Sequence, residues 1–269
     1  PPAPPHPPPP PPPTTRASIR RQRQMCIRDW VTTVDAGVPL EDGVVASFDG
    51  DMFDDVAATT WTGTNGGVLV WSRTDVSFPA PVGLDLGGDR PERVVAADLT
   101  GDDIPELLVA FPLIPELRII SYEASSGSVS AEDSAALTCS PMELAVIDLL
   151  DDGQPEVLFA CDPGGLWLAY TGSAPAFGAI EAVDVARDYE AVAAGDLDGD
   201  GDPDVVAHDG DNNLVVFCNE PTGLVEAGAF HGESAGSPAH VAIGLIDDDG
   251  RADVVETNDA MVTYWSDLP

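Results

Sequence analysis

The sequence predicts an all-β fold, a β-propeller of four-stranded blades with five blades counted, and three observations predict it. An acidic loop recurs at a nearly constant interval along the chain, with starts at 47, 98, 148, 196 and 245. Each copy sits between short runs of small and β-branched residues, and helical periodicity is nowhere sustained. Gly, Pro and Ser punctuate the stretches between units, so about 50 residues hold four short strands, the content of one propeller blade.

The copy that starts at Asp196 reads Asp196, Leu197, Asp198, Gly199, Asp200, Gly201, Asp202, Pro203, Asp204, Val205, Val206. Acidic residues occupy positions one, three, five and nine, Gly occupies position six, and a β-branched pair follows. The first strand of each unit precedes the loop (Val44 to Ala46, Val94 to Ala97, Ala145 to Ile147, Val192 to Gly195, Val241 to Gly244). Small residues there suit a crowded innermost position. The second strand begins at Val56, Leu107, Val157, Val205 or Val254. A third run ends near an aromatic residue, Trp71, Tyr122, Tyr170, Phe217 or Trp265, and these aromatics are expected to pack between blades. The fifth unit stops after its third strand, while Trp30 to Asp35 supplies one apolar run ahead of the first. That run is expected to complete the last blade and close the ring, which would remove open sheet edges.

Residues 1–29 are a different kind of sequence. Pro1 to Pro13 is proline interrupted by Ala3 and His6, a composition that stays extended and cannot pack. Residues 16–29 hold five of the eleven basic residues, and Met25 to Asp29 is what one frame of a common sequencing adapter encodes. The expected division is therefore a disordered Pro-rich and basic tail at 1–29, a sequencing or assembly artefact, followed by the propeller at 30–269.

The formal net charge is -36, from 47 acidic and 11 basic residues, and every basic residue is Arg. Such a field repels nucleic acid and anionic membrane, and it strains the compact state unless cations sit among the carboxylates. No apolar run reaches the ~20 residues of a membrane span. No two of the four Cys are spaced as in CxxC, so no zinc pattern is present.

Calcium takes six to eight oxygen ligands, so one short loop has to turn several carboxylates toward a point, and alternation at positions one, three and five does so. Gly at six permits the sharp turn, a carbonyl at seven and a carboxylate at nine complete the set. The expected ligands are Asp196, Asp198, Asp200, Asp202 through its carbonyl, and Asp204 in the fourth loop, the strongest site. In the first loop they are Ser47, Asp49, Asp51, Phe53 through its carbonyl, and Asp55; in the fifth, Asp247, Asp249, Arg251 through its carbonyl, and Asp253. In the second they are Asp98, Thr100, Asp102 and Glu106, and in the third Asp148, Asp152 and Glu156, where Leu150 removes a ligand. Ser47, Met52 and Leu245 should weaken the first and fifth loops, and the third is expected to be weak or empty. An EF-hand would need Glu at position twelve, where Ala207 stands.

The run Val192 to Ala207 (VAAGDLDGDGDPDVVA) closely resembles the FG-GAP and VCBS repeats of integrin alpha-chain propellers and of many bacterial extracellular proteins. The resemblance implies calcium on the blade loops, a secreted or cell-surface location, and a role in adhesion or ligand binding. Rings of seven blades are commoner in that family than the five counted here. The partner it implies is a protein or glycan, without nucleic acid or direct membrane insertion, for a chain that is monomeric or part of a larger surface protein. Two other readings stay open, a structural spacer and a carbohydrate-active, lyase-like enzyme.

Catalytic signals are sparse, and the chain is expected not to be an enzyme. Gly232 to Gly236 fits GxSxG on paper, but Pro238 follows at once and the segment lies between units. His208 and His231 stand alone, and Arg187 with Tyr189 is the one nearby pair a lyase could use. Cys139 precedes the first strand of the third unit and Cys161 ends its neighbour, so a disulfide between them and a pair of buried thiols are both open.

Overall fold

The computed structural model describes residues 33–74, 77–172, 175–231, 238–246, 252–258 and 262–265. The chain divides into two compact units, 1–35 and 36–269. Of the expected closing strand, Trp30 to Thr32 lie outside the described residues, and 33–35 carry no regular structure. The GxSxG segment at 232–236 also lies outside them.

Among the described residues the second unit is strand and turn without helix, in five antiparallel sheets. The first joins β1 (Leu40–Ala46), β2 (Asp55–Trp61), β3 (Gly66–Trp71) and β4 (Val82–Gly87), and the second joins β5 (Arg93–Ala97), β6 (Glu106–Phe111), β7 (Glu116–Glu123) and β8 (Ser128–Ala136). The third holds β9 (Pro141–Ile147), β10 (Glu156–Cys161), β11 (Gly165–Thr171) and β12 (Phe177–Asp184). The fourth holds β13 (Tyr189–Gly195), β14 (Asp204–Asp209), β15 (Asn213–Glu220) and β16 (Gly223–His231). The fifth has three strands, β17 (Pro238–Gly244), β18 (Asp253–Asn258) and β19 (Val262–Trp265). Every sheet runs in chain order, as four consecutive strands joined by short turns must when each turn closes an antiparallel pair.

Burial follows strand position within the sheet. The second strands β6, β10 and β14 are buried at every residue, because neighbouring sheets cover both of their faces. The fourth strands alternate or expose their residues, β8 and β16 most plainly, as an outer strand with one face in water must. The first strands carry small residues because they crowd one another: β1 lies beside β5, β5 beside β9, β9 beside β13, and β13 beside β17. Gly195 shows the tolerance, since a Cβ there would come within 2.9 Å of the Ile243 side chain on β17.

The core is a series of layers, each shared by two consecutive sheets. Phe48 and Val70 meet Val94, Leu107 and Phe111; Leu108 and Ile119 meet Leu144, Val157 and Phe159. Leu158 and Leu166 meet Val192, Val205 and Phe217; Val206, Leu214 and Val216 meet Val241 and Val254. Among the aromatics expected between sheets, Tyr122, Tyr170 and Phe217 join these layers, while the side chain of Trp265 lies outside the described residues.

Cys139 and Cys161 are joined by a disulfide, their Cα atoms 5.8 Å apart, which resolves the choice left by the sequence. The bond ties the entry of β9 to the end of β10, where Cys161 pairs with Pro141, inside the layer between the second and third sheets. A cross-link over a separation of 22 residues stabilises by about 3 kcal/mol through the unfolded chain's lost entropy. Replacing both with Ala should therefore lower the melting temperature by roughly 5–10 °C, read by circular dichroism. Mass spectrometry of the unreduced, alkylated protein should find both sulfurs unlabelled.

Candidate metal centre

Each acidic loop joins the first strand of a sheet to the second, and one contact recurs in all five. The backbone N–H at position two donates to the carboxylate at position nine: Phe48 to Asp55, Leu99 to Glu106, Leu149 to Glu156, Leu197 to Asp204 and Ile246 to Asp253, at 2.8–2.9 Å. The five acids are buried, and so are the side chains at position two in the first four loops. In the first and fourth loops the other oxygen accepts a further backbone N–H from the end of the third strand, from Arg73 at 2.6 Å and Asn219 at 2.9 Å. Position nine is therefore a clasp that closes the loop onto its sheet. The sequence pattern shows an acid there but not that its oxygens are engaged by the fold.

Nearer the tip, the N–H at position seven donates to the carboxylate at position five in each of the first four loops: Phe53 to Asp51, Ile104 to Asp102, Gln154 to Asp152 and Asp202 to Asp200. Where position three is acidic, the N–H at five donates to it in turn, as Asp51 does to Asp49 and Asp200 to Asp198. The carboxylate at position one accepts N–H groups from across the loop: Gly199 and Gly201 on Asp196, Asp152 and Gly153 on Asp148, and Thr100, Gly101, Asp102 and Asp103 on Asp98. Ser47, with one oxygen in place of two, makes a different contact: its hydroxyl donates to the Asp51 carbonyl.

The left-handed residue that all four of these loops share is at position four, not six. Gly50, Gly101, Asp151 and Gly199 have φ of 71°, 75°, 50° and 82°. Position six is left-handed as well in three of them, at Asp103, Gly153 and Gly201, whereas Met52 in the first loop is not. A non-glycine residue there meets a Cβ clash, so Asp103 and Asp151 each hold a conformation that Gly would adopt more readily.

The fourth loop is where the carboxylates converge. Oxygens of Asp196, Asp198 and Asp200 lie within 4.8 Å of one another, and Asp198, Asp204 and the Cys218 thiol form a second such group. Oxygens on opposite sides of a calcium ion are about 4.8 Å apart, twice a bond of roughly 2.4 Å, so the first group has the span of one hard cation. The all-oxygen donor set fits calcium, and Cys218 does not, being a soft ligand. Burial, then Asp204 and Asp198, push the Cys218 thiol up, which keeps it protonated. Among the described residues, the other loops do not bring three acidic groups this close. Asp247, Asp249 and Arg251 of the fifth loop lie outside the described residues.

The charges in these loops oppose one another. The N–H of Asp200 draws the Asp198 carboxyl down, but burial and repulsion from Asp200, Asp204 and Asp196 leave it above its ordinary value. Burial raises Asp55, Glu106 and Glu156, more than the clasp N–H groups lower them, and the neighbouring acids raise them further. Asp98 goes the other way: burial would raise it, but its four backbone N–H donors outweigh that.

Away from the loops, the pair singled out for a lyase is held in a structural network. Arg187 donates to Asp184 and Glu226, and the Tyr189 hydroxyl donates to Asp184 at 2.6 Å. Beside it lies a cavity of about 390 Å³ lined by Asp162, Asp188, Glu190, Asp209 and Asp211 with Arg187. His231 faces Asn213 on the surface, and His208 is buried in the layer between the fourth and fifth sheets.

Residues 148–207 and 196–256 match the model of the FG-GAP-like repeat. Both matches begin at position one of an acidic loop, the third and the fourth, and run into the second strand of the next sheet. The third loop, the most divergent by its acids, is thus inside the match. No curated protein matches the chain.

The clasp should be sensitive to truncation. Glu106→Ala leaves the buried N–H of Leu99 without its acceptor and is expected to cost about 1–3 kcal/mol, measured by denaturant unfolding. The raised carboxyls set a pH dependence. Asp55, Glu106 and Glu156 hold protons more tightly folded than unfolded, so their contribution to stability is fully present below the ordinary carboxylate range and is lost as pH rises through their raised values. In chelator the melting temperature should therefore be higher at pH 5 than at pH 8.

Proposed function

We propose that this chain, which carries FG-GAP-like repeats over residues 148–256, is a calcium-stabilised β-propeller that serves outside the cell as a binding or adhesion module. The observation that carries the reading is the fourth loop, where Asp196, Asp198 and Asp200 present oxygens at calcium spacing and are oriented by backbone N–H groups. The five sheets are read as its blades. A bound cation would supply positive charge among the tip carboxylates; the residues that would hold it are Asp196, Asp198, Asp200 and Asp204, with weaker sets in the other loops.

An extracellular location is supported by the disulfide between Cys139 and Cys161, since such bonds persist in oxidising compartments. A partner that is a protein or glycan is supported by the repeat family alone. The binding-module reading is preferred to an enzyme because Arg187 and Tyr189 are tied to carboxylates and present no open acid or base.

Thermal melts of the full chain with chelator, magnesium and calcium test the proposal. A ligand at a hundred times its dissociation constant adds about 2.7 kcal/mol, so calcium should raise the melting temperature by roughly 5–10 °C. Magnesium, which demands a tighter octahedron, should do much less. Asp198→Asn with Asp200→Asn should abolish the shift while the chelated fold persists. An unchanged melt in calcium would make the loops ordinary acidic turns.

A further inference from the structure

The layer between the fourth and fifth sheets differs from the other three. Four strand positions after the clasp acid stand Ala110 on β6, Ala160 on β10 and His208 on β14; three positions after it stand Val109, Phe159, Ala207 and, on β18, Glu256. On β2 the corresponding residues are Thr59 and Ala58, and β18 has Thr257 four positions after its clasp acid, so His208 and Glu256 bring ionisable groups to places held by apolar or hydroxyl side chains in the other sheets. His208 is 0% exposed and Glu256 1%, and their nearest atoms, Nε2 and Oε1, are 3.6 Å apart. Among the described residues, neither ring nitrogen and neither carboxylate oxygen has a hydrogen-bond partner. The surrounding strands present Ala191, Leu214, Val216 and Val241 to the same layer, none of which titrates. The other acids nearby, Asp209 and Glu190, line the acidic cavity. Among the described residues, Glu256 is the titratable group that faces His208.

A buried carboxylate with no donor is expensive, because it loses its hydration and gains no pairing. A neutral imidazole cannot compensate it. One proton placed between the two groups does so, whether the pair is written as imidazolium and carboxylate or as imidazole and carboxylic acid, and the 3.6 Å contact then closes to a hydrogen bond. We propose that His208 and Glu256 form a proton-operated latch between the fourth and fifth sheets, closed when the pair holds one proton and loosened when it holds none. In the unfolded chain at pH above ~6.5 both groups have released their protons, so folding draws one from solvent. The latch therefore contributes fully below that pH and is lost as the medium becomes alkaline.

The test is denaturant unfolding of the full chain at fixed calcium, from pH 6 to 9, for the wild type and for His208→Gln with Glu256→Gln, a pair of similar shape that takes up no proton. Uptake of one proton makes the wild type's folding equilibrium fall tenfold per pH unit relative to the double variant while the latch stays closed. Parallel pH profiles for the two proteins would overturn the proposal. Should the double variant fail to fold, Glu256→Gln alone serves the same purpose, since it removes the acidic partner. A flattened profile for it supports the latch, and a wild-type profile refutes it. Hydrogen exchange, corrected for intrinsic rates, locates the change: β17 and β18 should lose protection at high pH before β6 and β10, and uniform loss would also overturn the assignment.

Discussion

The clasp between position two and position nine is the constraint on which the rest depends. It uses a carboxylate at the first residue of a buried strand to hold the backbone two residues past the end of the preceding one. In doing so it fixes the loop's length, seats the apolar side chain at position two in the core, and places positions one, three and five at the tip. A buried acid is costly unless its oxygens are engaged, and the fold supplies at least one backbone N–H for each of the five. The residual repulsion among the tip carboxylates is what a cation would relieve. Structural and candidate ligand roles thus fall on different residues of one short segment, with Asp204 belonging to both.

Much of this was legible in the sequence because it repeats. Five copies in register show which positions are fixed, and the alternation of apolar runs with acidic loops leaves antiparallel strands as the one regular structure that fits. The strand triplets, the acidic loops and the proximity of Cys139 to Cys161 all follow from that register. Position four was less legible, since Asp occupies it in two copies, at 151 and 248, and the eye goes to the glycine at six. The clasp was hidden for another reason: an acid that binds a metal and an acid that binds a backbone N–H look alike in a sequence. His208 and Glu256 are far apart along the chain, and nothing local marks two residues of different sheets as partners.

The same charge that makes the loops candidate cation sites runs through the whole molecule. Eleven arginines cannot neutralise 47 acids, and several of those arginines serve the fold, as Arg118 does with Glu116 and Asp89 and Arg187 with Asp184 and Glu226. Arg118 also lies over the ring of Phe111, which uses its planar cation twice. Adjacent sheets are further tied by polar contacts near the loops: the Asn219 amide donates to the Leu149 carbonyl, linking the clasp of the fourth loop to the backbone of the third.

Each apolar layer belongs to two sheets at once, and this sets what kinds of change the architecture tolerates. A sheet inserted between two others meets both of their surfaces and has to match each. A sheet deleted from the interior brings together two surfaces that were each shaped for the missing partner, so that Phe159 would face residues fitted to something else. Duplication of an existing unit supplies surfaces already fitted to its neighbours, and excision does not. Copies of such a unit are free to diverge in their loops while the pattern of side chains between sheets is inherited in pairs.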